Sequence, residues 1–501
     1  MMMTKQQIAI SGIALAITLT LMACGSGSDS SSGSLSSTSK ATTTQGVITG
    51  FGSVFVNGIE YFIGNNTAIN MDGDDKSESE LQLGMLVTVR GTVNSDGKIG
   101  MADEIKYAKL IQGVVTANTV GSDGTGILTV MGQTVTVTAD TVFDSKVTAI
   151  SSPDLIQSGN IVEVSGYASN TGEVTATRIE VKATSQTAGI ILELKGTIFN
   201  LDTVNSTFTI GGLTVDYSGL TAAYLPSVPL TNGLYVEVRS SSPYDGTGSL
   251  IASAIKLEDD GLRGHEGHEG EDLEVWGLVT ADFANGRFEL NGRTILIDSN
   301  TLLVNGTTAQ LLTGNQIKIH THFDADGNLV ADKIEFKFTT EYKYEGALQA
   351  VDTDAGTVTV LGKTIYVDNS TLMMDKSDYA IRYFNLTDLD PNNSDYLEVH
   401  AYKDAGTGNL IATRVEREKY SSQSMLLGPV EAVNSLVVAG VALDVSNAGT
   451  IPSLSVGQTV LAIGTYNNDT LVASSISVVE PLASLHGFET SQDNHFDKNN
   501  H

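Results

Sequence analysis

Residues 46–59 read GVITGFGSVFVNGI, and this segment indicates the fold class. Its β-branched residues are grouped around glycines, and Asn57-Gly58 separates the run ending at Val56 from the run beginning at Ile59. Asn-Gly is the preferred two-residue turn of a β-hairpin, because both turn positions must accept a positive φ. The segment therefore predicts a first strand followed by a hairpin of the second and third strands.

The same pattern occurs six times along the 501-residue chain, which predicts a repeat protein. Each copy has a turn glycine, a Thr further on, a Gly-x-x-Val-x-Val segment, and a closing Ala followed three residues later by Ile or Val. The turn glycines are Gly58, Gly132, Gly212, Gly292, Gly362 and Gly440. The threonines follow nine residues later, at Thr67, Thr141, Thr221, Thr301 and Thr371, and the sixth shifts by one to Thr450. The closing alanines are Ala102, Ala176, Ala252, Ala331, Ala412 and Ala473.

The apolar residues in each copy alternate with polar ones, as in Val236-Glu237-Val238-Arg239, which is the period of a half-buried strand. In the last strand, an odd offset separates the apolar pair Leu329 and Ala331 from the pair Ile334 and Phe336. A β-bulge at this point would let both pairs face one core. The prediction is an all-β chain: a tandem array of six small five-stranded OB-like barrels, with small β-sandwich modules as the alternative.

The first copy has a recognisable signature: the opening segment through Asn57-Gly58, then Gly84-Met85-Leu86-Val87-Thr88-Val89, and then Ala102-Asp103-Glu104-Ile105. This signature resembles the repeat of bacterial lipoproteins known as domain of unknown function 5666. The resemblance spans about residues 46 to 480, and the later copies share it through spacing. The sixth copy departs from it, with Ala462 and no Gly-Phe-Gly opening. The family implies no activity and no functional residues.

The N-terminus predicts a lipid anchor. Lys5 precedes an apolar run over residues 8–22, which is too short to span a bilayer and is typical of a signal peptide. The run ends in Leu21-Met22-Ala23-Cys24, which resembles the bacterial lipoprotein cleavage box and contains the chain's only cysteine. By this resemblance, Cys24 is the site of lipid attachment, with palmitate among its acyl chains. Gly25 stands where Asp would signal inner-membrane retention, so we expect the outer membrane; its periplasmic or surface face is left open.

Composition excludes several classes of function. Lys plus Arg number 28 against 58 Asp plus Glu, a formal net charge of −30, so the chain should repel nucleic acid. A single cysteine excludes a disulfide scaffold and a Cys-ligated zinc site. We find no nucleophile elbow and no marked pair of carboxylates, and therefore predict that the protein is not an enzyme.

One segment has the chemistry of a metal site. His265, Glu266, His268 and Glu269 interleave imidazoles with carboxylates and could bind Zn²⁺ or Ni²⁺, although a charged flexible linker is the simpler interpretation.

We interpret His320, His322 and His400 as residues of solvated strand faces. The segment Asp324-Ala325-Asp326-Gly327-Asn328 resembles a calcium loop, but Leu329 replaces the required Gly, so we interpret it as a hairpin turn. The acidic loop at residues 72–80 leaves weak Ca²⁺ binding open, and residues 121–126 predict a hairpin tip.

The predicted function is a lipid-anchored envelope protein that acts as a non-enzymatic scaffold, spacer or binding rod. Glycan or other ligand capture by the OB-like faces and divalent metal binding by the His/Glu linker are the alternatives. The partners are the membrane, through the lipid, and an unidentified envelope protein or polysaccharide. We expect the segment at residues 258–274 to be a mobile joint between the first three repeats and the last three. The predicted units are a signal peptide (1–23), a Ser/Gly/Thr-rich tether (24–45), repeats 1 to 6 (46–110, 111–184, 190–257, 273–339, 344–420 and 427–480), an acidic His/Gly linker (258–272) and a disordered tail (484–501).

Overall fold

A computed structural model describes residues 40–121, 124–258, 272–336, 342–404 and 406–479. These residues form β-strands and short 3-10 helices, and no α-helix occurs among them. The 3-10 helices follow the third strand in each of the first five repeats, at Glu78–Glu80, Pro153–Leu155, Ala222–Tyr224, Thr308–Gln310, Leu386–Asp388 and Pro391–Asn393. In the part of the chain described, no helix is long and apolar enough to cross a membrane.

The strands fall into six groups, one for each predicted repeat. Repeat 1 contains β1 (Lys40–Gly50), β2 (Val54–Val56), β3 (Ile59–Met71), β4 (Asp74–Asp75), β5 (Leu86–Val93) and β6 (Ile99–Tyr107). Repeat 2 contains β7 (Ile111–Asn118), β8 (Gly126–Val130), β9 (Gln133–Val137), β10 (Val142–Ser145), β11 (Ile161–Ala168) and β12 (Glu173–Ala183). Repeat 3 contains β13 (Leu192–Thr197), β14 (Phe199–Asp202), β15 (Thr207–Ile210), β16 (Leu213–Asp216), β17 (Tyr235–Ser240), β18 (Ser249–Ile251) and β19 (Ala254–Leu257).

The second half of the chain repeats the arrangement. Repeat 4 contains β20 (Asp272–Ala284), β21 (Arg287–Leu290), β22 (Arg293–Leu296), β23 (Leu302–Val304), β24 (Gln316–Phe323) and β25 (Leu329–Phe336). Repeat 5 contains β26 (Tyr342–Asp352), β27 (Thr357–Val360), β28 (Lys363–Tyr366), β29 (Leu372–Asp375), β30 (Tyr396–Lys403) and β31 (Leu410–Glu418). Repeat 6 contains β32 (Ser424–Ala432), β33 (Val437–Val438), β34 (Val441–Asp444), β35 (Thr459–Asn467) and β36 (Thr470–Val478).

Five main strands in each repeat pair in a closed circuit. In repeat 1 the order is β1-β2-β3-β6-β5 and back to β1, with β3 and β6 parallel and the other pairs antiparallel. Repeats 2, 4, 5 and 6 close in the same way. In repeat 3, the first strand is divided into β13 and β14, and the last into β18 and β19. This order is that of the OB fold, so the barrel prediction is confirmed.

The predicted hairpin turn is confirmed by its backbone angles. Asn57 and Gly58 have φ values of 55° and 82°, and Asn291 and Gly292 have values of 50° and 74°. Positive φ at both central residues defines the type I′ turn that fits the twist of a two-residue hairpin. Backbone conformation therefore favours glycine at Gly58 and Gly292.

The predicted bulge is also present. In repeat 4, His320 pairs with Lys333 and the next residue, Thr321, pairs with Ala331, so β25 has one extra residue at this point. The same shift follows the closing alanine in repeats 1, 2, 5 and 6. Because of the bulge, both apolar pairs of β25 are buried in the barrel core, as the parity of the sequence predicts: Leu329, Ala331, Ile334 and Phe336.

The barrels associate in pairs through their first strands. β7 of repeat 2 pairs antiparallel with β13 of repeat 3, and β26 of repeat 5 pairs antiparallel with β32 of repeat 6. β1 of repeat 1 instead pairs in parallel with β20 of repeat 4. Repeats 2 and 3 share one hydrophobic core, as do repeats 5 and 6, whereas repeats 1 and 4 have separate cores.

The pairing of repeats 1 and 4 overturns the interpretation of the chain as a rod with a joint at residues 258–274. Four consecutive residue pairs join β1 to β20, from Thr42 with Asp272 to Gln45 with Val275. The first three repeats therefore do not move freely relative to the last three. The physical reason is that the N-terminal half of each first strand has an unpaired edge in its own barrel, and the neighbouring barrel's first strand fills it.

Candidate functional site

The turns between the second and third strands pack against other repeats. A Cβ atom added at Gly132 in repeat 2 would lie 2.7 Å from the carbonyl oxygen of Gly212 in repeat 3. A Cβ atom at Gly440 in repeat 6 would lie 3.0 Å from Nζ of Lys363 in repeat 5. Strands 2 and 3 carry the ligand surface of many OB folds. In these repeats the turn that joins those two strands packs against another repeat, as at Gly132 and Gly440.

A network of charged side chains connects repeats 1 and 3. Nζ of Lys109 lies 3.0 Å from Oδ2 of Asp72 and 2.9 Å from Oε2 of Glu193. Lys195, which is 5% exposed, lies within 3.7 Å of Asp72 and within 3.6 Å of Glu237. The outer faces of these strands, which alternate polar with apolar residues, thus meet one another instead of solvent.

The electrostatics of this network keep Glu237 ionised. Burial opposes its ionisation, but the charges of Lys195 and Arg239 outweigh burial and lower the pKa of Glu237 below its ordinary value. Glu258 at the edge of the network behaves differently, because burial and the nearby Glu237 raise its pKa. Two neighbouring carboxyl groups in one network therefore differ in their proton affinity.

Repeat 5 contains a second charged cluster. Nε2 of His400 lies 2.7 Å from Oε1 of Glu398, and Lys343 lies 2.8 Å from the other carboxylate oxygen. Burial opposes the ionisation of Glu398, but the hydrogen bond with His400 and the charge of Lys343 lower the pKa of Glu398 far below its ordinary value. Arg414 forms an ion pair with Glu416, and both side chains are buried.

Three carboxylates of this cluster lie close enough together to be considered as metal ligands. Oxygen atoms of Glu398, Glu416 and Glu418 all lie within 4.8 Å of one another. However, Nζ of Lys376 lies 2.7 Å from Glu416 and 3.4 Å from Glu418, and Lys343 contacts Glu398. The cationic side chains of the protein already neutralise these carboxylates, so the geometry is that of a structural ion-pair cluster.

Three arginines donate hydrogen bonds to backbone carbonyl groups of other repeats. Arg178 of repeat 2 donates to Leu83 O at 3.2 Å in repeat 1, and Arg414 of repeat 5 donates to Ala139 O in repeat 2. Arg382 of repeat 5 donates to Glu78 O at 3.0 Å and to Leu81 O at 2.6 Å, both in repeat 1. The guanidinium of Arg382 also lies 4.5 Å from the ring centroid of Phe51. These contacts connect repeats 1, 2 and 5.

Several predicted site residues lie outside the described part of the chain. They are the lipid attachment residue Cys24 and the linker residues His265, Glu266, His268 and Glu269. Lipid attachment and metal binding at these positions stay predictions.

The three histidines of the strand faces have different surroundings. Nδ1 of His322 lies 2.9 Å from Asp332, and Nε2 of His320 lies 3.6 Å from Glu274, so each imidazole faces its own carboxylate. The prediction of a solvated face is wrong for His400, which is only 5% exposed. The charged cluster of repeat 5 packs against the repeat 2 segment at Ala139, which explains this burial.

The loop at residues 324–328 is a hairpin turn, as predicted. Oδ1 of Asp324 accepts hydrogen bonds from the backbone amides of Asp326 and Asn328, at 3.0 and 2.8 Å. Glu335, which would complete a calcium loop, forms an ion pair with Lys333 instead. In the acidic loop of repeat 1, Asp72 contacts Lys109, so this carboxylate is used structurally. At the ends of the hairpin tip predicted at residues 121–126, Gly121 N donates to Thr125 O at 2.9 Å.

A surface groove of about 370 Å³ lies where repeats 2, 3 and 4 meet. Asn170 of repeat 2 and Thr197 and Phe199 of repeat 3 form one side, and repeat 4 contributes β22 and the turn before β25. A cavity of about 290 Å³ between repeats 1, 2, 3 and 4 continues inward from the groove, because Asn170, Thr197 and Arg293 line both. The groove and the cavity together form a concave surface, open to solvent, to which several barrels contribute.

Sequence reasoning found the repeated Thr but not its role. Thr141 Oγ1 donates to Ala176 O at 2.8 Å and accepts from Thr138 N at 2.9 Å. Thr67, Thr301 and Thr371 bond in the same way to the closing alanines of their repeats. The signal was the fixed spacing from the turn glycine to the Thr, which places the Thr beside the closing Ala in these four repeats.

The comparison with protein families agrees with the repeat geometry. The family described as "Domain of unknown function (DUF5666)" matches residues 45–106, 112–180, 195–256, 277–335 and 345–416, which together make up more than half of the chain. The chain belongs to this family. The family match does not include repeat 6, although repeat 6 has the same closed strand order as the DUF5666 repeats.

Two solved structures show weak similarity. Drosophila Unr CSD456 is 14% identical, with 44% of this chain and 95% of that chain covered and a TM-score of 0.11. A multidomain protein with nucleic acid binding domains from Streptococcus pneumoniae is 10% identical, with 44% and 72% covered and a TM-score of 0.14. At these scores the similarity carries no argument about function. No curated protein matches the chain.

Proposed function

We propose that this protein is a non-enzymatic scaffold of the cell envelope, anchored to the outer membrane by a lipid on Cys24. The observation that supports the scaffold role is that surfaces of the barrels are used for contacts between repeats. Turns and charged strand faces that could take ligands in isolated OB barrels contact other repeats, as at Gly132 and Gly212. Such packing combines six small barrels into one larger platform.

The chemistry of the buried charges supports a structural role. Each of Glu237, Glu398 and Glu416 is paired with a cationic side chain, and its pKa lies below the ordinary value. A general acid or base requires a pKa near the working pH. These carboxylates instead stay ionised and form ion pairs on the strand faces of repeats 3 and 5.

The anchor is supported by the sequence around Cys24, the only cysteine of the chain, which follows Leu21-Met22-Ala23. Changing Cys24 to Ser should release the protein from the membrane fraction of cells, whereas a Ser30→Ala variant in the tether should remain there. Unchanged membrane fractionation of the Cys24→Ser variant would refute the anchor. Protease treatment of intact cells then separates a surface location from a periplasmic one.

The non-enzymatic role is tested independently of location. Purified protein should leave libraries of glycosides, esters and peptides unchanged. Appreciable turnover of any of these substrates would overturn the scaffold proposal.

A further inference from the structure

The groove between repeats 2, 3 and 4 is open, unlike the packed hairpin turns elsewhere. Its lining includes the exposed turn residues Gly233 and Gly327, where an added Cβ would find no atom within 4 Å. Repeat 4 contributes strand β22 and the turn before β25, the parts that form the ligand surface of many OB folds. Together with the cavity behind it, the groove has the size of a small-molecule site.

Apart from Arg293, the side chains that line the groove are uncharged, and one of them is an aromatic ring. Phe199 is 39% exposed, and Thr294 is an exposed residue of β22. Asn170 accepts a hydrogen bond from Thr197 at 3.4 Å and donates one to Glu289 at 3.4 Å. Both distances exceed the usual range for hydrogen bonds, so these groups can exchange partners for ligand hydroxyl groups at little cost.

Two other ligand classes fit less well. A peptide that adds a strand needs a free sheet edge, but β22 pairs with β21 on one side and, at Ile295 and Leu296, with β25 on the other. An anionic polymer would be repelled by a chain of formal net charge −30, and the residues that line the groove include one cation, Arg293. A neutral chain of hydroxyl-bearing rings avoids both obstacles.

We propose that this groove binds a neutral oligosaccharide, with one sugar ring against Phe199 and hydroxyl groups bonded to Asn170 and Thr197. This inference adds a ligand to the proposed envelope scaffold. It rests on the proposed function only because the envelope location would bring the protein into contact with glycans. Binding is tested on purified protein, so its failure and the failure of the lipid anchor are distinguishable.

The experiment is isothermal titration with maltohexaose, cellohexaose and chitohexaose, with hexagalacturonate as an anionic probe. We expect millimolar or tighter binding of at least one neutral probe and recovery of the sugar unchanged. Phe199→Ala should weaken binding about tenfold, because it removes a ring contact, and Thr294→Trp should weaken it similarly by filling the groove. Phe62→Ala, which removes an exposed ring outside the groove, is the matched control and should bind as the unmodified protein does.

Thermal unfolding midpoints of all variants establish that they are folded. Absence of binding of every neutral probe at millimolar concentration would overturn the proposal. So would binding that either Phe199→Ala or Thr294→Trp leaves unchanged, or binding of hexagalacturonate alone.

Discussion

At the scale of single residues, Thr141 shows how the repeat signature closes a barrel. Its hydroxyl group bridges the backbone of its own loop and the carbonyl of Ala176, next to the bulge of β12. Thr141 is 6% exposed, so a lost hydrogen bond there leaves buried backbone groups without a partner. This explains why Thr occurs at a fixed distance from the turn glycine in several repeats.

Changing Thr141 to Val should lower the free energy of unfolding by about 1–3 kcal/mol, because buried polar groups lose their partner while the side-chain volume is kept. The measurement is urea unfolding followed by fluorescence or circular dichroism. Thr136→Val on the outer face of β9 is the matched control and should change stability by less than about 0.5 kcal/mol. Equal losses in both variants would argue against the role assigned to Thr141.

Sequence reasoning could identify the Thr spacing but not the burial of His400. Thr141 and His400 are both polar residues at regular positions of the repeat. The sequence pattern of such a residue is the same whether its side chain faces water or another repeat. His400 and Glu416 are 5% and 1% exposed because a second barrel covers them. The charged residues on a strand face therefore did not indicate whether another repeat covers that face.

At the scale of elements, two glycine turns separate the effects of backbone conformation and packing between repeats. Gly132 and Gly97 have similar positive φ values, 76° and 71°. A Cβ atom at Gly132 would lie 2.7 Å from Gly212 O, whereas one at Gly97 would meet nothing within 4 Å. The two positions are therefore matched in strain and differ in neighbours.

Gly97→Ala should cost about 1–2 kcal/mol of stability, the usual cost of a side chain in a left-handed conformation. Gly132→Ala should cost clearly more, because its methyl group also displaces the turn of repeat 3. The measurement is chemical denaturation of both variants. If Gly132→Ala were no worse than Gly97→Ala, the contact between the two turns would not contribute to stability.

The sequence was most informative about individual strands, turns and bulges. The parity of Leu329, Ala331, Ile334 and Phe336 predicted the bulge of β25, because only a bulge turns both pairs toward one core. Repeat 6 was predicted from spacing alone, and its strands close in the same order as the others. Local periodicity reports directly on strand faces, which is why these predictions were confirmed.

At the scale of the whole molecule, buried ion pairs should make stability depend on acid pH. Burial opposes the ionisation of Asp375, but hydrogen bonds from Arg417 and Ser377 lower its pKa to about 2. A carboxyl group with a lower pKa in the folded state stabilises the fold above its unfolded pKa, and this stabilisation is lost as the pH falls through the folded pKa. For Asp375 the loss falls between about pH 4 and pH 2.

The free energy of unfolding should therefore decrease over this pH window. Asp375→Asn should be less stable at neutral pH and show a weaker dependence between pH 4 and pH 2, as measured by urea midpoints across pH. Asp378→Asn, whose carboxylate is exposed, should retain the pH profile of the unmodified protein. A profile of Asp375→Asn that parallels that of the unmodified protein would contradict this assignment.

The sequence did not predict which repeats pack against one another. Repeats 1 and 4 are distant in the chain, and the residues that join them, Thr42 to Gln45 with Asp272 to Val275, have no distinguishing pattern. The glycine-rich linker before repeat 4 favoured a mobile joint on local grounds. Strand pairing across the linker depends on the unpaired edge of β1, a property of the folded barrel.

Crosslinking of β1 to β20 is the most direct measurement of the central claim, that the six barrels associate in pairs through their first strands. Because Cys24 is the only native cysteine, Thr42→Cys and Asp272→Cys can be combined with Cys24→Ser to leave a single thiol pair. Register partners on neighbouring strands lie within disulfide distance. Thr88→Cys with Lys106→Cys, register partners within repeat 1, is the positive control. The account predicts rapid oxidation of both pairs, seen as altered mobility on non-reducing gels; oxidation of the control pair alone would contradict it.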